Sequence, residues 1–194
     1  MQTFRHFFSF IIVVAAALTT VVQGQHKPGD VPVDYSASVH LVGPLGAAAT
    51  TMKVHIDAYT TEPNRTKLLT ALRTNGYQAF LPAFKAMPVV GYIEIKEQKW
   101  DLKWAHLEPR DKGSIVTAAT DKPIFFAGGG TVDPKPRTGY EMAIVRMELD
   151  TIGMGKGSFS GAARVKPSAG ATNVEVDDYA NQPATITAVT RVFK

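Results

Sequence analysis

The stretch Tyr140-Glu141-Met142-Ala143-Ile144-Val145-Arg146-Met147-Glu148-Leu149-Asp150, with the glycines at 153, 155 and 157 behind it, decides the fold. Ala143, Val145, Met147 and Leu149 recur at every second position and therefore share one face of a strand. On the other face Tyr140, Met142 and Ile144 give way to Arg146 and Glu148. Such a strand is covered on both sides along its first half and on one side along its second. The three glycines predict a turn after it, with residues 159–166 pairing back.

The same two-residue period extends in both directions. Upstream, Tyr35, Ala37, Val39 and Leu41 alternate with polar or small residues, as do Met52, Val54, Ile56 and Ala58. Residues 89–95 form another strand, and Trp100, Leu102, Trp104 and His106 are expected on one face of the next. Residues 115–120, 124–126, 174–179 and 184–193 read as further strands. Ser160-Gly161-Ala162-Ala163 sets four small residues in a row, which suits a strand crossed closely by another element.

One segment breaks the period. Thr61 is placed to cap a helix whose first turn holds Glu62 and Pro63, with Leu68, Leu69 and Leu72 as its stripe. Asn75-Gly76 ends it. Tyr77, Phe80, Leu81, Phe84 and Met87 then recur at helical spacing, and Pro82 suits a second helix only if that helix starts near Ala79. About ten strands with one helical hairpin, mostly in consecutive order, predict a mainly β protein. Its expected form is an antiparallel sheet curling into a barrel, with a two-layer α+β sheet as the alternative.

Composition limits the chemistry. A hydrophobic share of 45% and a charged share of 20% belong to a folded chain. Cysteine is absent, so disulfides, a thiolate nucleophile and cysteine-bound zinc are excluded. The first 24 residues read as a secretory leader: Arg5 and His6, an apolar run over 7–18, then Val22-Gln23-Gly24 at a cleavage position. A spanning helix takes about 20 apolar residues, more than this run supplies. The expected organisation is leader 1–24, a polar mature tail 25–33 and one β-rich domain over 34–194, secreted or periplasmic after cleavage near Gly24. No second run is long enough to span a bilayer, so no membrane span is expected in the mature chain. The formal charge is +4, and its basic residues are interleaved with acidic ones; Lys96, Lys99 and Lys103 alternate with Glu94, Glu97 and Asp101. Nucleic acid is therefore not expected as a partner.

Several motifs fail on inspection. Gly153-Met154-Gly155-Lys156-Gly157 lacks the Ser or Thr that a phosphate loop needs after Gly-Lys. Gly157-Ser158-Phe159-Ser160-Gly161 has Phe159 where a hydrolase elbow has its serine. Glu175, Asp177 and Asp178 are too few oxygen donors for calcium. His55 and Asp57 share a strand face about 7 Å apart, and catalysis there needs a third group such as His40 or His106. No catalytic residue, metal or cofactor is assigned.

The connection over 127–139 is long for a compact domain, and Lys135 and Arg137 on it offer a positive rim to an anionic head group. The segments Val54-His55-Ile56-Asp57, Val90-Gly91-Tyr92-Ile93, Ala119-Thr120-Asp121-Lys122-Pro123-Ile124, Glu148-Leu149-Asp150, Ala162-Ala163-Arg164-Val165-Lys166-Pro167 and Val176-Asp177-Asp178-Tyr179 resemble an uncharacterised family of small exported bacterial proteins. That resemblance implies no activity, substrate or site residue. The expected function is non-enzymatic binding of an apolar or amphipathic small molecule, with Trp100, Trp104, Lys135 and Arg137 as ligand-binding residues. The alternatives are a structural or protein-interaction component of the cell envelope, and a small hydrolase or isomerase using His55, Asp57 and His106.

Overall fold

The computed structural model describes residues 29–43, 46–127, 130–132, 137–170, 174–180 and 183–193. The expected leader, the first residues of the tail and Lys135 lie outside them. The strands are β1 (Val33–Gly43), β2 (Gly46–Ile56), β3 (Gly91–Ile95), β4 (Gln98–Arg110), β5 (Gly113–Thr120), β6 (Phe125–Ala127), β7 (Gly130–Val132), β8 (Met142–Leu149), β9 (Met154–Pro167), β10 (Val174–Tyr179) and β11 (Ala184–Val192). Among the described residues there is one helix, α1 (Glu62–Lys85), between β2 and β3.

Eight strands close an antiparallel barrel in the order β9-β11-β1-β2-β3-β4-β5-β8, with β8 returning to β9. Sequence neighbours pair almost throughout, as short connections require. The terminal strands β1 and β11 join over seven residue pairs from Asp34↔Val192 to His40↔Thr185. Closure leaves no long bare edge within the barrel. The strand expected over 124–126 is β6, and it pairs with β7, which lies within the long connection expected over 127–139.

Alternation places the core. Val39, Met52, Val54, Ile93, Leu102, Val116, Val145 and Ile186 are fully buried and fill the barrel, as side chains do in barrels of this size. On β8 the residues Met142 to Val145 are all buried, then Arg146 and Glu148 are exposed between buried Met147 and Leu149. The double-sided first half of that strand is thus explained: Ala143 and Val145 face the barrel interior, while Met142 and Ile144 belong to a second cluster on the outer wall.

That second cluster is what α1 covers. Leu68, Leu72, Phe80 and Phe84 are its buried residues, and Phe80 stacks on Phe84 at 5.5 Å. Burying each such side chain contributes about 1.5–3 kcal/mol. Gly76 (φ 69°, ψ −165°) interrupts the helix where the expected hairpin turns, a conformation that only glycine adopts without strain. The second half starts at once after Gly76, so Pro82 lies inside it and not in its first turn, and one backbone hydrogen bond is lost.

Two irregularities shape the outer wall. In β4, Leu102 pairs with Thr120 but Trp104 pairs with Ala119, so Lys103 is an extra residue. Beyond β3 the freed edge of β4 is taken by Thr60, whose N–H donates to the Ala105 carbonyl (2.7 Å) while its hydroxyl accepts from the Ala105 N–H (3.0 Å). Lys103 donates to the Met87 carbonyl (3.1 Å) and ties the end of the helical segment to the same bulge.

In β9, Ile144 pairs with Ser160 and Met142 with Ala163, so one residue is extra around Gly161. Gly161 is also where the chain before β6 crosses β9: the Ile124 N–H donates to its carbonyl at 2.8 Å, and a Cβ there would sit 2.1 Å from the Ile124 oxygen. The expected close crossing over the small residues is therefore present. Past this bulge, β9 pairs with β10 in place of β11.

Candidate functional site

A groove runs over the outer wall of the barrel, where β10 faces back toward β4. Its floor holds Trp104 and His106 of β4, Thr117 of β5, Ile144 and Arg146 of β8, and Ser158 and Ser160 of β9. Val174, Glu175, Val176 and Tyr179 of β10 form its wall. The volume is about 410 Å³. An apolar recess of about 70 Å³ lies beside it under α1, lined by Phe80, Phe84, Ala119, Met142 and Val165. Trp104, Thr117, Ile144 and the Val174–Val176 segment border both spaces. The arrangement follows from the alternation: outward-facing positions of β4, β5 and β8 are apolar near the helix and polar farther along.

The wall is held by a local network. Tyr140, just ahead of β8, donates its hydroxyl to Asp178 on β10. That bond, with the Tyr179 N–H, holds the Asp178 carboxyl below the usual carboxylate range. Arg164 of β9 pairs with Asp177 at 2.8 Å, and its guanidinium lies 5.4 Å from the Tyr140 ring. Arg137 lies 4.7 Å from the same ring. At the recess end, Tyr77 donates to Glu141 (2.9 Å) and fixes α1 against the start of β8.

The charges at the polar end have opposite charges beside them, and Lys166 is shared by Glu175 and Asp177 (3.6 Å to the latter). Glu108 lies 2.8 Å from Arg110, Arg146 pairs with Glu148, and Glu175 is 3.8 Å from Lys166. His106 sits beside the Trp104 ring, 6.3 Å between centroids. Burial, and then the nearby Arg65 charge, press its pKa below the ordinary histidine value, with Glu108 and Glu62 opposing. At neutral pH the imidazole is uncharged and offers one donor and one acceptor.

The residues named from sequence are placed as follows. Trp104 lines the groove. Trp100, expected on its face, packs against the barrel core instead, because the extra residue Lys103 inverts the alternation between them. Arg137 is exposed and stacked on Tyr140, next to the groove wall. Lys135 lies outside the described residues.

His55 and Asp57 meet a third group, but it is neither His40 nor His106. His55 Nδ1 is 2.6 Å from buried Asp34 and its Nε2 is 3.0 Å from Asp57, while its ring stacks on Tyr92 at 4.8 Å. Asp34 is the direct cross-strand partner of His55 in the β1–β2 register. Both ring nitrogens are engaged, so the cluster ties two strands together. His106 lies on the part of β4 that β3 does not reach, in the groove. Among the described residues no group of three or more His, Cys, Asp or Glu is placed to hold a metal ion, and no helix is long and apolar enough to cross a membrane.

Thr117, Ile144, Val174 and Val176 are groove residues that sequence reading missed, while Phe80, expected on the apolar stripe of the helix, lines the recess. Their signal was present in the apolar outward positions of β8 and in Val174-Glu175-Val176, but which strands face each other depends on the two bulges. Comparisons with protein-family models, with curated proteins and with solved structures return no match.

Proposed function

We propose that the outer groove binds an amphipathic small molecule without chemical conversion. The apolar part enters the recess between Phe80, Phe84 and Met142, and the polar part stays by His106, Ser158 and Ser160. The observation that carries this reading is an apolar recess set beside a polar groove, the two sharing Trp104, Thr117, Ile144 and Val174–Val176 as lining. About 410 Å³ is within the range of small-molecule sites, roughly 300–1,000 Å³. The barrel interior, by contrast, is filled by its own side chains.

The test is titration of the full chain with decan-1-ol, following tryptophan fluorescence in a Trp100→Phe variant so that Trp104 alone reports. Saturable quenching or a spectral shift supports the reading. Thr117→Arg, at a half-buried floor position, then abolishes the response while the melting temperature stays within a few degrees. Binding that survives Thr117→Arg refutes it.

A second reading, a docking surface for another protein, rests on exposed Ile152, Met154, Val192 and Phe193 near the β8–β9 turn and the end of β11. Self-association in sedimentation, lost in Ile152→Ser with Phe193→Ser, supports it. The place of action in either reading is outside the cytoplasm, supported by the leader-like residues 1–24. An exported protein whose mass begins at Gln25 tests that.

A further inference from the structure

Resting on the reading that the groove binds an amphipathic small molecule, we infer that it selects ligands whose polar end is uncharged and carries hydroxyl or carbonyl oxygens, over anions or cations with the same apolar body. The ground is the state of the charges around the mouth. Glu108 is matched by Arg110, Arg146 by Glu148, and Glu175 shares Lys166 with Asp177, which Arg164 also contacts. An ionic head entering there loses part of its water, and the charged side chains it meets are half exposed, solvent-screened and already paired, so they return little of that cost.

The groups not committed to ion pairs are hydrogen-bonding ones. Ser158 and Thr117 are half-buried hydroxyls on the floor, and Ser160 is a buried one. His106, held uncharged at neutral pH, adds a donor and an acceptor and no net charge. Hydroxyl and carbonyl oxygens pair with such groups at little desolvation cost, since a neutral polar group loses far less on leaving water than an ion does.

The experiment compares decan-1-ol, decanoate and decylammonium at pH 7.5 against the Trp100→Phe chain. Their apolar bodies match and only the head differs. The alcohol is expected to bind about tenfold or more tightly than either ion. A smaller ratio for either ion overturns the inference. Glu148→Gln removes the partner of Arg146 and should improve decanoate binding several-fold while leaving decan-1-ol unchanged. Decanoate affinity unaltered in that variant overturns it too. The two readings fail separately. If none of the three probes binds, or if Thr117→Arg does not block them, the groove reading is lost. If all three bind alike and Thr117→Arg blocks them, only the head-group selectivity is lost.

Discussion

Trp100 and Trp104, four residues apart on β4, stand on opposite faces of the barrel wall. Trp100 packs against the interior cluster and Trp104 against the cluster under α1. The odd residue between them is Lys103, whose ammonium reaches the Met87 carbonyl. A groove ligand should therefore perturb one indole and not the other. In Trp104→Phe, leaving Trp100, titration with decan-1-ol is expected to give no fluorescence change. An equal response from both single-tryptophan variants would mean that the ligand enters the barrel or unsettles the whole fold.

Gly161 carries the crossing of β9 by the chain that leads into β6. Alanine there brings its Cβ to 2.1 Å from the Ile124 oxygen, backbone against backbone. Gly161→Ala should cost about 1–3 kcal/mol in urea unfolding, the range for overpacking. Because the same bend directs β10 over the groove, ligand affinity should fall with it. A variant as stable as the parent would show that the crossing relaxes freely.

His55 bridges a buried carboxylate and an exposed one, and its two bonds should differ in worth. Asp34 is 4% exposed, whereas the Asp57 side chain is 62% exposed. His55→Ala removes the closest partner of buried Asp34, which keeps Lys53 at 3.5 Å, and should destabilise by about 1.5–3 kcal/mol. Asp57→Ala removes a solvent-screened contact and should cost less than about 1 kcal/mol. Equal losses in chemical denaturation would contradict that ordering. Neither substitution touches the groove, so ligand affinity should be retained in both.

Acid should weaken the fold through His106. Its folded-state pKa lies below the ordinary value because burial and Arg65 disfavour the charged form. Between that depressed value and about 6.5 the unfolded chain binds more protons, so stability falls as the pH drops through this window. His106→Gln lacks that proton uptake. Melting temperatures at pH 7, 6 and 5 should decline less steeply for His106→Gln than for the parent. Parallel declines would mean that other groups carry the acid sensitivity.

What the sequence showed and what it hid divide along the range of the interactions. The alternation in residues 142–149 foretold both the inner face and the doubly covered first half of β8, since each residue's face is set by its neighbours two positions away. Asn75-Gly76 likewise marked the break in α1 locally. The extra residue at Lys103 left no trace, because an apolar-polar alternation on either side of a bulge still reads as an alternation. The turn at Lys96-Glu97, both at positive φ (48° and 68°), lacks the glycine or asparagine that would have marked it. Asp34 as the partner of His55 required the β1–β2 register, and the groove required the curl of β10 over β4 and β5, more than fifty residues earlier in the chain.

The most direct measurement is methyl NMR of the full chain during titration with decan-1-ol. Binding in the groove should shift the methyl signals of Ile144, Val165, Val174 and Val176 in a saturable way, while those of Val39, Ile93 and Ile186 inside the barrel stay in place. Shifts confined to the interior methyls, or to Ile152 and Val192 at the exposed end, would contradict a ligand site on the outer wall.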